Sequence, residues 1–178
     1  MNIDQLVKLT ARAWSLDILA AMSDGTPGRQ AQLLTTTGAS RNAFAQSMAH
    51  LVSLGLVERN PGHGHPLRPE FRLTPAGQAA GQAASRVKSL LPDPTDARLI
   101  RRVWSLPILA VSKTPRHFAS LRQHLHPITD RALSQSLHHL QARDWIVRDI
   151  DPDQTPLRPL YCASSTGRAM AEALEIAV

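Results

Sequence analysis

A single cysteine, Cys162, stands among 178 residues, which excludes an internal disulfide and fits a reducing cytosol. No apolar run approaches the ~18 residues of a membrane span and no signal-peptide pattern is seen. The sequence therefore predicts a soluble, cytoplasmic protein without membrane contact. The motifs of catalysis are missing too: there is no glycine-rich phosphate loop, no carboxylate pair in context and no nucleophile motif. An enzyme is not expected, and no cofactor is implied. Eight histidines, among them His63-x-His65, His124-x-His126 and His138-His139, invite a metal reading. Metal sites need three or four converging ligands, and none clusters here, so no metal is expected. Trp14 and Trp104 could line a ligand pocket, but a tryptophan in a helix-packing core is the simpler account.

What is present is basic. Lys plus Arg number 20 against 14 Asp plus Glu, a net charge of +6 with a pI near 10.7. That balance favours a polyanionic partner. Residues 1–92 carry 9 basic and 5 acidic side chains, and residues 93–178 carry 11 and 9. The charge is thus spread over folded sequence instead of being held in a tail.

The strongest internal signal is duplication. Trp14-Ser15-Leu16-Asp17-Ile18-Leu19-Ala20 returns 90 positions later as Trp104-Ser105-Leu106-Pro107-Ile108-Leu109-Ala110. Pro66-Leu67-Arg68-Pro69 returns as Pro156-Leu157-Arg158-Pro159, Phe71 as Tyr161 and Gly77 as Gly167. Gln46-Ser47, His50 and Leu51 match Gln135-Ser136, His139 and Leu140 at offset 89, which sets Ser40 on Thr129. Repetition of this length predicts two copies of one small domain, residues 1–94 and 95–178, each able to bury a modest core.

The second copy contains the most informative stretch, residues 128–140. Thr129 is a helix N-cap candidate. Leu133, Leu137 and Leu140 follow at helical spacing, while Arg131, Ser134, Gln135 and His138 line the opposite face. Alone, this describes a surface helix as well as one laid in a DNA major groove, where Arg, Gln and Ser read base edges. The first copy has Ser40 as cap, Phe44, Met48 and Leu51 inward, and Asn42, Ala45, Gln46 and Ala49 outward.

Around these helices the pattern predicts helices at 3–22, 29–36 and 41–53, the last ended by Gly55. Strands at 56–59 and 71–74 follow, flanking a stiff basic loop at 60–69. An alanine-rich helix at 76–91 is capped by Thr74 and read as the element joining the copies. Pro92-Asp93-Pro94 marks the boundary. The second copy repeats the plan with helices at 96–112, 116–125 and 129–142, strands at 145–149 and 160–164 around a loop at 150–159, and a helix at 166–176. Pro107 is a candidate kink, and Cys162 is expected as a buried strand thiol.

This order is that of a winged helix-turn-helix. The second copy resembles the HxlR-type transcriptional regulators through Trp104, Pro107-Ile108-Leu109, Arg116-His117-Phe118, Leu121, Ile128-Thr129, Arg131, Leu133-Ser134, Leu137, Leu140, Pro156, Tyr161 and Gly167, covering nearly all of residues 98–172. The first copy keeps Trp14, Ile18-Leu19, Leu51, Gly55-Leu56-Val57, Pro66, Phe71-Arg72-Leu73-Thr74 and Gly77. It lacks the Arg-His-Phe and Ser-Gln segment. The resemblance implies a bacterial regulator, repressor or activator, that binds double-stranded DNA; family members do so as homodimers on palindromic operators. The chain departs in carrying both domains in one polypeptide and in lacking the N-terminal cysteine through which some members sense oxidants.

The expected fold is mainly α with small β-hairpins (α+β): two tandem winged helix-turn-helix domains forming an internal pseudo-dimer. The expected function is sequence-specific DNA-binding regulation, in the sense of a nucleoid-associated repressor. The DNA contacts would be Asn42, Gln46, Thr129, Arg131, Ser134, Gln135 and His138, with Arg68 and Arg158 reaching phosphates or a minor groove from the loops. Two recognition helices one turn of DNA apart, ~34 Å, would meet successive major grooves. Because their outward residues differ, the copies are expected to read unequally. In the second loop Asp149, Asp151 and Asp153 would repel phosphates. The alternative is a tandem winged-helix protein-interaction module, either an anti-activator or a chromosome-complex scaffold. A homodimer of the tandem chain, or another regulatory protein, stays open as a further partner, and no small-molecule effector is named.

Overall fold

The computed structural model describes residues 1–63, 68–151 and 157–175. By packing, the chain divides into two compact units, one of Leu9–Ser89 and one of Met1–Lys8 with Leu90–Val178. Helix α1 (Ile3–Thr10) crosses that division.

The Leu9–Ser89 unit contains α2 (Ser15–Ser23), α3 (Gln30–Thr37), α4 (Arg41–Ser53), β1 (Val57–His63), β2 (Arg68–Leu73) and α5 (Pro75–Ser89). Helix α2 is its hub, with residues 15–21 all buried, and α3, α4 and α5 pack against it. Leu16, Ile18, Leu19, Leu33, Phe44, Met48, Leu51, Val57 and Val87 form the core. The small face of α5 (Ala80, Gly81, Ala83, Ala84) is buried, and α5 lies along α2 of its own unit. The close approach is direct: a Cβ on Gly81 would lie 2.9 Å from the Leu19 carbonyl oxygen. The alanine face read as a link between copies thus has a partner within its own unit. A salt bridge from Lys88 Nζ to the buried Asp17 carboxylate, 3.0 Å, and the Ser85 hydroxyl donating to Asp24 fasten the two helices.

The other unit contains a 3-10 turn (Pro94–Asp96), α6 (Ala97–Ile100), α7 (Ser105–Val111), β3 (Arg116–His117), α8 (Phe118–His124), α9 (Asp130–Gln141), β4 (Ile146–Asp151), β5 (Arg158–Ala163) and α10 (Ser165–Ala173). Its sheet has the order β3-β5-β4, antiparallel throughout. The first unit makes the same addition with a single bridge, Arg29 to Glu70, beside the β1–β2 hairpin. Elements therefore repeat in the same order, and the molecule is an α+β protein built of two winged helix-turn-helix copies.

Three expectations are corrected. The long first helix of each copy is two helices, broken at residues 11–14 and 101–104. Ala11, Arg12 and Ala13 are all exposed, so the apolar stripe lapses there, and Trp14 and Trp104 become the residues preceding α2 and α7. Pro107 is not the cause. It sits in the first turn of α7, where its missing N–H leaves no bond unmade. Secondly, Trp14 and Trp104 are half-buried, and the fully buried tryptophan is Trp145. Thirdly, Cys162 lies in β5 as expected but is half-buried, with Arg168 Nη2 3.9 Å from its sulfur. The two hairpins also extend further than predicted, into both loops, because cross-strand pairing continues to His63–Arg68 and Asp151–Arg158.

Candidate nucleic-acid interface

The register of both recognition-type helices is fixed by their caps. Ser40 Oγ accepts from the Ala43 N–H at 3.3 Å, and Thr129 Oγ1 accepts from the Ala132 N–H at 3.2 Å. Each satisfies one of the donors that a helix start leaves unpaired. From these caps the faces follow in step. Phe44, Ser47, Met48 and Leu51 are buried in α4; Leu133, Ser136, Leu137 and Leu140 are buried in α9. Burying these stripes turns Asn42, Ala45, Gln46 and Ala49 of α4, and Arg131, Ser134, Gln135 and His138 of α9, to the exposed side. Each face gathers its own polar residues within about three turns of helix.

The far end of α9 is anchored as well. Arg143 Nη2 lies 2.6 and 2.7 Å from the two carboxylate oxygens of the buried Asp96. That hydrogen bond and the Asp96 charge raise the Arg143 pKa above its ordinary value. Asp93 caps the 3-10 turn, accepting from the Thr95 backbone N–H and hydroxyl, and these bonds lower its pKa from 3.8. Helix α9 is thus held at its start by a cap and at its end by an ion pair.

Beside the start of α9 runs an open trough of about 910 Å³, lined by α8 residues Ala119, Arg122 and Gln123 and by His126, Pro127, Ile128, Thr129 and Asp130. Across it Arg122 Nη1 donates to Asp130 Oδ1 at 3.0 Å. Neither residue was singled out from sequence, although an acid directly after a capping threonine, with a cation on the preceding helix, is a visible signal.

The hairpin of the second copy is tied to β3 by one side chain. His117 Nδ1 is 3.1 Å from the Pro159 carbonyl oxygen, and its Nε2 is 3.1 Å from Asp151 Oδ2. Asp151 is therefore turned toward His117. Asp149 is exposed, with Oδ1 accepting from the Ile150 N–H; Asp153 lies outside the described residues. Arg158 is exposed at the start of β5. Arg68 starts β2, paired with His63, and its side chain lies outside the described residues. His124 Nδ1 faces the Ser120 carbonyl and its Nε2 faces Arg116. Both ring nitrogens are engaged within the fold. Among the described residues no three His, Cys, Asp or Glu side chains converge on a metal position, and no helix is long and apolar enough to cross a membrane.

A family model described as HxlR-like helix-turn-helix matches the chain twice, over residues 9–91 and 99–177. A search of curated proteins returned no match.

Proposed function

This chain belongs to the HxlR-like helix-turn-helix family, a family of DNA-binding transcription regulators, and from that premise we propose that it is a sequence-specific regulator that represses transcription. Two winged-helix domains, meeting at Pro92-Asp93-Pro94, read successive major grooves of one double-stranded DNA site through α4 and α9. The observation that carries this reading is the pair of capped helices with polar outward faces, each backed by an apolar stripe. Arg131, Ser134, Gln135 and His138 are the base-reading side chains of the second domain, and Asn42 and Gln46 those of the first. Arg is suited to guanine and Asn or Gln to adenine. Thr129 fixes the reading helix through its cap and offers its hydroxyl to the backbone of the DNA. Arg68 and Arg158, at the hairpins, take phosphates. With Ala45 and Ala49 opposite Ser134 and His138, the two domains read unequally, so the operator is asymmetric.

The test is selection of double-stranded genomic fragments by the full chain at two salt concentrations. A motif of two half-sites about ten base pairs apart, lost with Arg131→Ala and Gln135→Ala, is the expected result. Binding without a motif, or binding only to a protein and insensitive to salt, would instead place the chain among protein-interaction modules, since phosphate contacts make affinity fall steeply with salt.

A further inference from the structure

The first residue of each recognition helix carries opposite charge in the two copies. It is Arg41 in α4 and Asp130 in α9, each directly after its capping residue. Both are exposed. Their surroundings differ as well. Asp130 is held by Arg122 of α8. In the first copy the matching helix, aligned on the residues preceding it (Arg29 and His117) and on buried Leu33 and Leu121, puts Leu34 where Arg122 stands. Arg41 accordingly has no ion-pair partner among the described residues.

We propose that this first-turn position is the discriminator between the two half-sites: Arg41 reads guanine, and Asp130 reads cytosine. The inference rests on the DNA-reading function proposed above and deepens it. Arg presents a planar fork of donors that meets the O6 and N7 acceptors of guanine, whereas a carboxylate accepts from the N4 amino group of cytosine and repels the guanine edge. The N-terminal residues of a helix-turn-helix recognition helix are those that approach base edges, and both caps place this position at that end. The Arg122 bond engages Oδ1 of Asp130, leaving Oδ2, which has no partner among the described residues, to meet a base. Five positions further on, Gln46 and Gln135 are the one outward polar residue the helices share at equivalent positions. Each half-site, read from the cap of its own helix, is therefore alike under the glutamines and unlike under the first turn.

The experiment is selection from a randomised double-stranded DNA library of about 30 base pairs, using the full chain, then the charge-swapped variants Asp130→Arg and Arg41→Asp. Both residues are exposed, so neither variant disturbs a core. The wild type should return half-sites that share the base pair under the glutamines, with guanine at the Arg41 position and cytosine at the Asp130 position. Each preference should be roughly 5- to 150-fold, as for single good base contacts. Asp130→Arg should convert the second half-site to guanine and make the motif more symmetric; Arg41→Asp should remove guanine from the first. A motif that carries the same base at both positions, or that neither variant alters, overturns this inference while leaving DNA reading intact. Failure of the wild type to return any motif overturns the DNA-reading proposal itself, and this inference with it.

Discussion

Gly77→Ala offers a quantitative test of how each hairpin is seated. A Cβ at this position would lie 1.8 Å from the Leu56 carbonyl oxygen, against 3.4 Å for ordinary contact. Helix α5 or the start of the hairpin must therefore retreat by roughly 1.5 Å, and backbone offers no rotamer by which to yield. That retreat strains the seat itself. Thr74 N–H donates to the Leu56 carbonyl at 3.1 Å, and the Thr74 hydroxyl donates to the Gly55 carbonyl at 2.7 Å. Overpacking costs about 1–3 kcal/mol and each weakened hydrogen bond about 1 kcal/mol. Replacing a helical glycine by alanine returns about 1 kcal/mol. The net expectation is a loss of about 2–4 kcal/mol. Gly81→Ala is the milder comparison. Its Cβ would lie 2.9 Å from the Leu19 carbonyl oxygen and from the Ser23 Cβ, so a much smaller retreat is needed and the cost should fall at the low end of overpacking, about 1 kcal/mol. Urea unfolding followed by circular dichroism measures both. With a slope of about 1–3 kcal/mol per molar, Gly77→Ala should lower the midpoint of the transition by about 0.7 molar or more, and Gly81→Ala by less. A Gly77→Ala protein as stable as wild type would refute the packing argument.

Three further outcomes are expected. Ser40→Ala and Thr129→Ala should each cost about 1 kcal/mol, seen as faster amide exchange in the first turns of α4 and α9. Because Asp93 has a folded pKa below 3.8, its contribution to stability is present above that value and fades as pH falls through the lower folded one. Asp93→Ala should therefore melt below wild type at neutral pH and converge with it in strong acid. Arg158→Ala should weaken binding to all DNA sequences alike and reduce the slope of log affinity against log salt by about 1.

The outward faces of α4 and α9 were the most legible part of the chain. Their caps, apolar stripes and outward residues are local properties, set by helical period and by the hydroxyl of Ser40 or Thr129, and a single sequence displays them in full. The duplication made the winged order legible as well. What stayed hidden depends on long-range contact. The periodicity of residues 3–22 does not show that three exposed residues interrupt it. Trp145 follows directly on a run of exposed residues at the end of α9, and only folding of the hairpin buries it. The Asp96–Arg143 pair joins residues 47 positions apart, and His117 meets Asp151 and Pro159 only because β3 lies next to β5. Neither arrangement leaves a local pattern.

The comparison of the two copies separates what the fold requires from what it permits. Gly77 and Gly167 stand in both because each faces a carbonyl oxygen at the start of its hairpin, Leu56 in one and Trp145 in the other, with room for no Cβ. Ser40 and Thr129 stand in both because each helix start leaves an N–H to be satisfied. Elsewhere the two copies are tied at different places. Asp17 ties α2 to α5 through Lys88, while its counterpart Pro107 cannot form such a pair, and the second copy has its ion pair at the end of α9, between Asp96 and Arg143. On the outward faces no such requirement acts. There Arg41 corresponds to Asp130, Asn42 to Arg131 and Ala49 to His138 in the repeat. Both domains thus present a helix of the same register with different outward side chains. Under the proposed function, joining them in one chain makes that difference usable: identical subunits would read both half-sites alike, whereas two linked copies need not.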